Sequence, residues 1–373
     1  MAPLEPWEKA FVNVVDFANE DSHGDLTCRD CHDGSAGDTK EEAHEGMISR
    51  PSEGEAKTCT TCHKEQGNAH AGNLHVTLEG YWTVLEARGA DRENPHLQEA
   101  FSNHCSSCHT SCGDCHVAQP ASVGGGLLDG HMFTTNPPMT RTCTACHGSR
   151  VGNEYMGKNE GVIADLHFRQ ERMTCIQCHP GTELHGINEA EPDAAPDTHR
   201  YTSDNGGPQC ENCHEEAATG VDEVTMHMVH DENTLACQVC HSTTYINCDS
   251  CHVQVAEESG NPYFTTEESY FTFLIGKNPL LSEERPWKYV PLRHVPIDPN
   301  SFAFYGSNLL PNFDALPTWH AATPHNIQLE TPQTMDCNHC HGNDEVFLTA
   351  DKVKPEELTA NQGVIVDVVP RER

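Results

Sequence analysis

The stretch Cys105-Ser-Ser-Cys108-His109-Thr-Ser-Cys112-Gly-Asp-Cys115-His116 places two Cys-x-x-Cys-His units only two residues apart. Two thiols followed by an imidazole suit one chemistry well. The thiols add to the two vinyl groups of a haem, and the next residue, His, ligates the iron from the proximal side. The unit recurs along the chain. All 20 cysteines fall in ten such motifs: Cys28 with Cys31, Cys59 with Cys62, Cys105 with Cys108, Cys112 with Cys115, Cys143 with Cys146, Cys175 with Cys178, Cys210 with Cys213, Cys237 with Cys240, Cys248 with Cys251, and Cys337 with Cys340. The following residue is always histidine: His32, His63, His109, His116, His147, His179, His214, His241, His252 and His341. Chance does not explain ten of ten where His is 26 of 373 residues. Zinc and disulfides are the competing uses of paired cysteines. A structural zinc site joins two distant pairs and does not require the adjoining His. Disulfides suit an oxidising compartment, but a bridged pair with an attached His would be an odd scaffold.

On these motifs the chain resembles the multihaem c-type cytochromes, and the resemblance spans residues 28 to 341. It implies ten covalent haem c groups with their iron, maturation outside the cytoplasm, and electron transfer rather than catalysis. Within that family the chain looks like the extracellular cytochrome filaments, in which copies stack end to end and the haems continue across the joint. Three other forms stay open: a discrete secreted or periplasmic carrier, a subunit of a porin–cytochrome conduit, and a multihaem reductase with one open haem. Some of those reductases replace a motif His by Lys, and this chain has no such replacement. No cysteine is left over as a nucleophile, and no Gly-rich phosphate loop of the expected form is present.

The ligand on the far side of each iron decides its chemistry. Histidine closes the site and gives a low potential, methionine raises the potential, and an empty position admits substrate. Sixteen histidines lie outside the motifs, enough to close every iron. The distal candidates are His23, His44, His70, His75, His131, His167, His185, His199, His227, His230 and His325. His131, His199 and His325 lie 11 or 12 residues before a motif, and each has an apolar or aromatic residue two places on (Phe133, Tyr201, Ile327). His167 and His230 lie eight and seven residues before the next motif. His75 and His227 sit three to five residues from another candidate, a spacing that lets neighbours serve adjacent haems. Eleven candidates for ten places leave at least one over, and His104, beside the third motif, is the first reserve. Met47, Met132, Met156, Met226 and Met228 are the competing ligands. His23, near the N-terminus, is the candidate for ligating a neighbouring chain.

The elements that position these groups must be unusual. Apolar residues make up 36% and aromatics 6%, too little for an ordinary core in a chain this long. Ten porphyrins supply the missing apolar volume. The expected fold is therefore that of a multihaem cytochrome c: mostly irregular coil with short α-helices around a chain of ten haems, and little β-structure. Motif intervals of 31, 46, 7, 31, 32, 35, 27, 11 and 89 residues contain two tight pairs. Each pair is preceded by two single motifs and followed by one, which suggests two five-haem halves, 1–160 and 161–373. The tight pair at His109 and His116 predicts two closely stacked haems. A haem-free stretch, 253–336, is rich in proline and aromatics, with strand-like composition from Tyr270 to Ile275. It either covers the last haems or docks a partner. The tail, 343–373, and residues 1–22 are candidate arms, and 186–209 reads as an exposed linker.

The net charge of -35 argues against nucleic acid and anionic membranes as partners. It favours basic partners and screening cations such as Ca2+. Other cytochromes, copies of this chain, and extracellular or periplasmic donors and acceptors are the expected partners. No segment approaches the 18 or more apolar residues of a membrane span. The first 20 residues lack the pattern of a signal peptide, so the expected location, extracellular or periplasmic, implies a signal removed before this numbering.

Overall fold

The computed structural model describes residues 4–53, 57–187, 207–230, 233–243, 272–295 and 297–373. The ninth motif (Cys248, Cys251, His252), His199, and the aromatics Tyr263, Phe264, Tyr270 and Phe271 lie outside the described residues, as does most of the linker at 186–209. The chain forms two compact units, each assembled from three separate segments. The first comprises Met1–Gly80, Ser106–Gly148 and Thr174–Asn205; the second comprises Tyr81–Cys105, Ser149–Met173 and Gly206–Arg373. This division differs from the two halves expected at residue 160. Segments 81–105 and 149–173 group with the C-terminal part of the chain, so the first unit holds six motif histidines, His32 to His179.

Short helical turns dominate the first unit, and the motifs themselves make several of them. Cys28–His32, Cys112–His116, Cys143–His147 and Cys175–Cys178 are each one turn of α-helix. Isolated turns this short are unstable without help at their ends. Three of them have it in a capping box, in which the residue before the first cysteine and the third helical residue bond reciprocally. The backbone N–H of Thr27 donates to Asp30 Oδ2 at 2.6 Å, that of Ser111 to Asp114 Oδ2 at 2.9 Å, and that of Thr174 to Gln177 Oε1 at 2.7 Å. One residue in the variable part of each motif thus fixes the turn that presents both thiols and the histidine. Near the N-terminus, the helices Pro6–Ala10 and Val14–Glu20 leave Trp7, Phe11, Val14 and Val15 exposed.

The second unit has a protein core. Strands β1 (Leu274–Lys277), β2 (Tyr289–His294) and β3 (Trp319–Ala321) form an antiparallel sheet in that order, with Ile275 opposite Pro291 and Arg293 opposite His320. The C-terminal tail completes it and is not a free arm. Val364, Ile365 and Val366 are buried against Ile275, Val290, Leu292 and Trp319. The Lys277 N–H donates to the Val364 carbonyl at 2.8 Å, and the Leu348 N–H to that of Ile275 at 2.9 Å. Ala236 and Val239, around the eighth motif, pack into the same core. The described part of the aromatic stretch is therefore largely scaffold. A smaller cluster joins Trp82, Ala90, Leu97 and Leu310. Beside it the buried Arg88 guanidinium donates to the carbonyls of Phe313, Leu316 and Pro317, holding that loop.

Candidate functional site

Within each unit, motif histidines stand opposite other histidines at a nearly constant distance. In the first unit the ring centroids of His32 and His131 are 5.9 Å apart, His63 and His23 6.1 Å, His116 and His185 6.0 Å, and His147 and His75 6.2 Å. In the second, His214 and His167 are 6.0 Å apart, His241 and His227 6.0 Å, and His341 and His230 6.2 Å. Two metal–imidazole bonds of about 2 Å each, plus the distance from nitrogen to ring centre on both sides, require a spacing of about 6 Å. The seven distal rings all come from the sequence candidates. His23 faces His63, a motif histidine of its own chain.

The ring nitrogens are oriented for this. A histidine whose Nδ1–H is bonded presents the Nε2 lone pair to a metal. His32 Nδ1 donates to the Ile48 carbonyl at 2.7 Å, His109 to Ser106 at 2.7 Å, His116 to Thr134 at 2.7 Å, His241 to Gln328 at 3.1 Å and His341 to Arg371 at 3.0 Å. In three cases the passing strand returns the bond, because the backbone N–H groups of Ile48, Thr134 and Gln328 donate to the carbonyls of His32, His116 and His241. His179 donates to the Glu183 carboxylate at 3.0 Å.

The distal rings have their own supports. Asp21 Oδ1 accepts from the backbone N–H of His23 at 2.8 Å and from its Nδ1 at 3.0 Å. Asn73 does the same for His75, at 2.8 and 3.0 Å, and Asp165 for His167, at 2.8 and 3.2 Å. Asp222 holds His227 Nδ1 at 2.5 Å, and the Gly181 carbonyl holds His185 at 2.6 Å. His131 adopts a left-handed backbone, φ 79°, a strained conformation for a residue with a side chain and one that clusters at functional sites.

Burial keeps several of these rings neutral, the form in which nitrogen binds metal. It pushes His75 down to about 4 and lowers His70, His131 and His185. His167 moves the other way, because its hydrogen bond to Asp165 outweighs burial. Both ring nitrogens of His70 are buried without a hydrogen-bonding group, and its ring lies 6.2 Å from His185.

The thiols of different motifs meet. Cys59 and Cys112 are hydrogen-bonded, as are Cys143 and Cys175, Cys108 and Cys146, and Cys210 and Cys237. Cys31 feels the charge of Cys62, Cys115 that of Cys143 and Cys146, and Cys340 that of Cys240. In the first unit the motifs therefore run in the spatial order one, two, four, five, six, with the third branching from the fifth. The thiol contacts of the third and fourth motifs lead to other motifs, Cys108 to Cys146 and Cys112 to Cys59. The link between them is not slack: the Thr110 N–H donates to the His75 carbonyl at 2.8 Å, and Ser111 caps the next helix.

Burial divides the two thiols of some motifs. Cys28, Cys62, Cys178, Cys213 and Cys337 are exposed, whereas their motif partners Cys31, Cys59, Cys175, Cys210 and Cys340 are half-buried. The seventh motif shows the contrast most plainly. Its first thiol, Cys210, meets Cys237, while Cys213 faces solvent, one residue before His214. The backbone still links the two, because the N–H groups of Cys213 and His214 donate to the Cys210 carbonyl at 3.1 and 2.9 Å.

Among the described residues no histidine ring stands opposite His109. His44 lies exposed at the end of Lys40–Ala43. His325 donates through Nδ1 to the Thr323 carbonyl at 2.7 Å. The reserve candidate, His104, has its Nε2 bonded to the Tyr305 hydroxyl at 2.5 Å.

The donor set fits a haem. Among the described residues no three His, Cys, Asp or Glu side chains converge as a metal cluster, and the 18 described cysteines form no disulfide. Two opposed imidazoles leave four positions around an iron, the number a porphyrin fills. Sequence reasoning named the paired histidines but not their supports. The signal was present as Asx two residues before the ligand in Asp21-x-His23, Asn73-x-His75 and Asp165-x-His167. Comparison with known proteins adds no name: no family model, curated protein or solved structure matches this chain. No described helix is long and apolar enough to cross a membrane.

Proposed function

We propose that this chain binds ten c-type haems and carries electrons along them, as a long-range extracellular conductor whose copies join into a filament. The observation that carries the reading is the set of seven histidine pairs at 5.9–6.2 Å, each with one member in a Cys-x-x-Cys-His motif. The haems would supply the redox centres. The chain's residues do the rest: the cysteines anchor, the paired Nε2 atoms ligate, and the Nδ1 partners fix the tautomer and orientation of each ring. Meeting thiols in different motifs bring successive attachment points together. The filament form draws support from the exposed apolar side chains of Trp7, Phe11, Val14 and Val15, which a second copy would cover.

Intact mass measurement of the exported protein tests the first part, with ten haem additions expected. The mass of the bare chain would sink the reading. Low-spin ferric signals are expected in electron paramagnetic resonance for the irons at the seven pairs. Negative-stain microscopy tests the filament. Discrete particles at high concentration would leave the carrier form in its place.

A further inference from the structure

We propose that the Asx side chain two residues before three distal histidines ranks the potentials of their irons: carboxylates at Asp21 and Asp165 hold two of them low, and the amide of Asn73 leaves a third higher. The inference rests on the haem reading above and extends it to the direction in which electrons settle.

The three sites share one geometry. In each, one Asx oxygen accepts from both the backbone N–H and the Nδ1–H of the histidine two residues on. The second Asx atom binds passing backbone. Asp21 Oδ2 accepts from the Phe133 N–H at 2.6 Å, and Asp165 Oδ2 from the Ile327 N–H at 2.6 Å. Asn73 Nδ2 donates to the Glu183 carbonyl at 3.4 Å, which identifies its other atom as the oxygen facing His75. All three side chains are shielded from solvent, with Asp21 and Asp165 at 2% exposure and Asn73 at 6%. The geometry of the Asx contact being alike, the three Asx side chains differ in charge.

A carboxylate on Nδ1–H makes the ring a stronger donor at Nε2. Its negative charge also favours the more positive ferric iron, in surroundings where solvent screens little. Both effects lower the potential. An amide oxygen offers a dipole without net charge. Along the first unit, His63 is backed through His23 by Asp21, and His179 directly by Glu183. Between them in the thiol sequence lie His116, whose pair has the carbonyls of Thr134 and Gly181, and His147, whose partner has Asn73. Electrons entering this unit settle on the fourth and fifth irons, flanked by two lower ones.

The test uses the full haem-loaded chain and three nearly isosteric variants: Asp21→Asn, Asp165→Asn and Asn73→Asp. Redox titrations are followed by visible and paramagnetic resonance spectroscopy, after the mass has shown ten haems in each. The expected result is that one component of the titration moves up in Asp21→Asn and in Asp165→Asn, and one moves down in Asn73→Asp. Each shift should be at least tenfold in the one-electron equilibrium, about 59 mV. Low-spin signals should be retained, since one oxygen still faces Nδ1 in every variant; what is given up is the bond from the Phe133 or Ile327 N–H in the two Asn variants and the bond to the Glu183 carbonyl in Asn73→Asp. Unchanged titrations in haem-complete protein, or shifts of one sign in all three, overturn the ranking and leave the haem reading standing. A purely structural role would not reverse sign between Asp→Asn and Asn→Asp. Loss of haem from the unsubstituted chain would instead strike the reading beneath.

Discussion

In the second unit, a three-stranded sheet, the C-terminal tail and a smaller Trp82 cluster bury 20 apolar side chains; in the first, only Leu78 and Met139 are buried among the described residues. Yet the first unit carries six of the ten motif histidines, and four of its pairs are fully described. Burial of apolar surface is the main favourable term in folding. A unit that buries so little of its own must take that term from elsewhere, and on the proposed reading covalently held porphyrins supply it. The second unit has protein to fold around and adds motifs at its edge, as Ala236 and Val239 show.

The sharpest way to break this contrast is to withhold haem. In chain produced without haem attachment, hydrogen exchange should be fast throughout the first unit, while the sheet and tail of the second stay protected. Equal protection of both units would refute the comparison. The next largest effect is expected from Trp319→Ala, which empties a fully buried site in the sheet core. About 3–5 kcal/mol should be lost. The loss should be confined to the second unit, as denaturant-dependent exchange would report.

The polar centre of that core should respond to pH. His294 Nε2 lies 3.0 Å from the Glu357 carboxylate, which also accepts from the Thr318 hydroxyl at 2.6 Å. Burial alone would raise the Glu357 pKa, but the bonds from His294 and Thr318 and the His294 charge outweigh it, and the net shift is downward from 4.5. A carboxylate with a lowered folded-state pKa stabilises fully above its unfolded value and loses that contribution as pH falls through the folded one. Stability of the second unit should therefore fall below about pH 4.5, and Glu357→Gln should flatten that part of the profile. A fall that persists unchanged in the variant would assign it to other groups. The smallest effect belongs to the first unit. Thr27→Ala removes the cap of the first motif turn and should cost about 1 kcal/mol in local opening. On the proposed reading thioether bonds would keep the turn in place, so haem content should be unchanged by mass.

The ligands were legible in the sequence because they are local. A Cys-x-x-Cys-His motif needs no distant residue to be recognised, and all seven distal histidines paired in the structure were candidates from sequence. Their assignment was not legible. His167 lies eight residues before the sixth motif but faces His214 of the seventh; His230 precedes the eighth motif but faces His341 of the tenth. His131 turns back to His32. Spacing along the chain predicts which residues are near only when the chain between them is straight or regular, and here short turns separated by loops redirect it every few residues.

The sequence by itself determined the ten Cys-x-x-Cys-His motifs, the supply of histidines outside them and the shortage of apolar residues for a protein core. Each depends on residue type and near-neighbour order. The tertiary structure alone decided which histidines pair, which thiols meet, and that the tail closes a sheet rather than reaching outward. It also decided that two units form from interleaved segments. Those outcomes depend on contacts between residues tens to hundreds of positions apart, such as the bonds from Asp165 to Ile327 and from His241 to Gln328. Local propensity carries no information about such partners, because the entropy lost in bringing them together is recovered only when the whole surrounding unit packs.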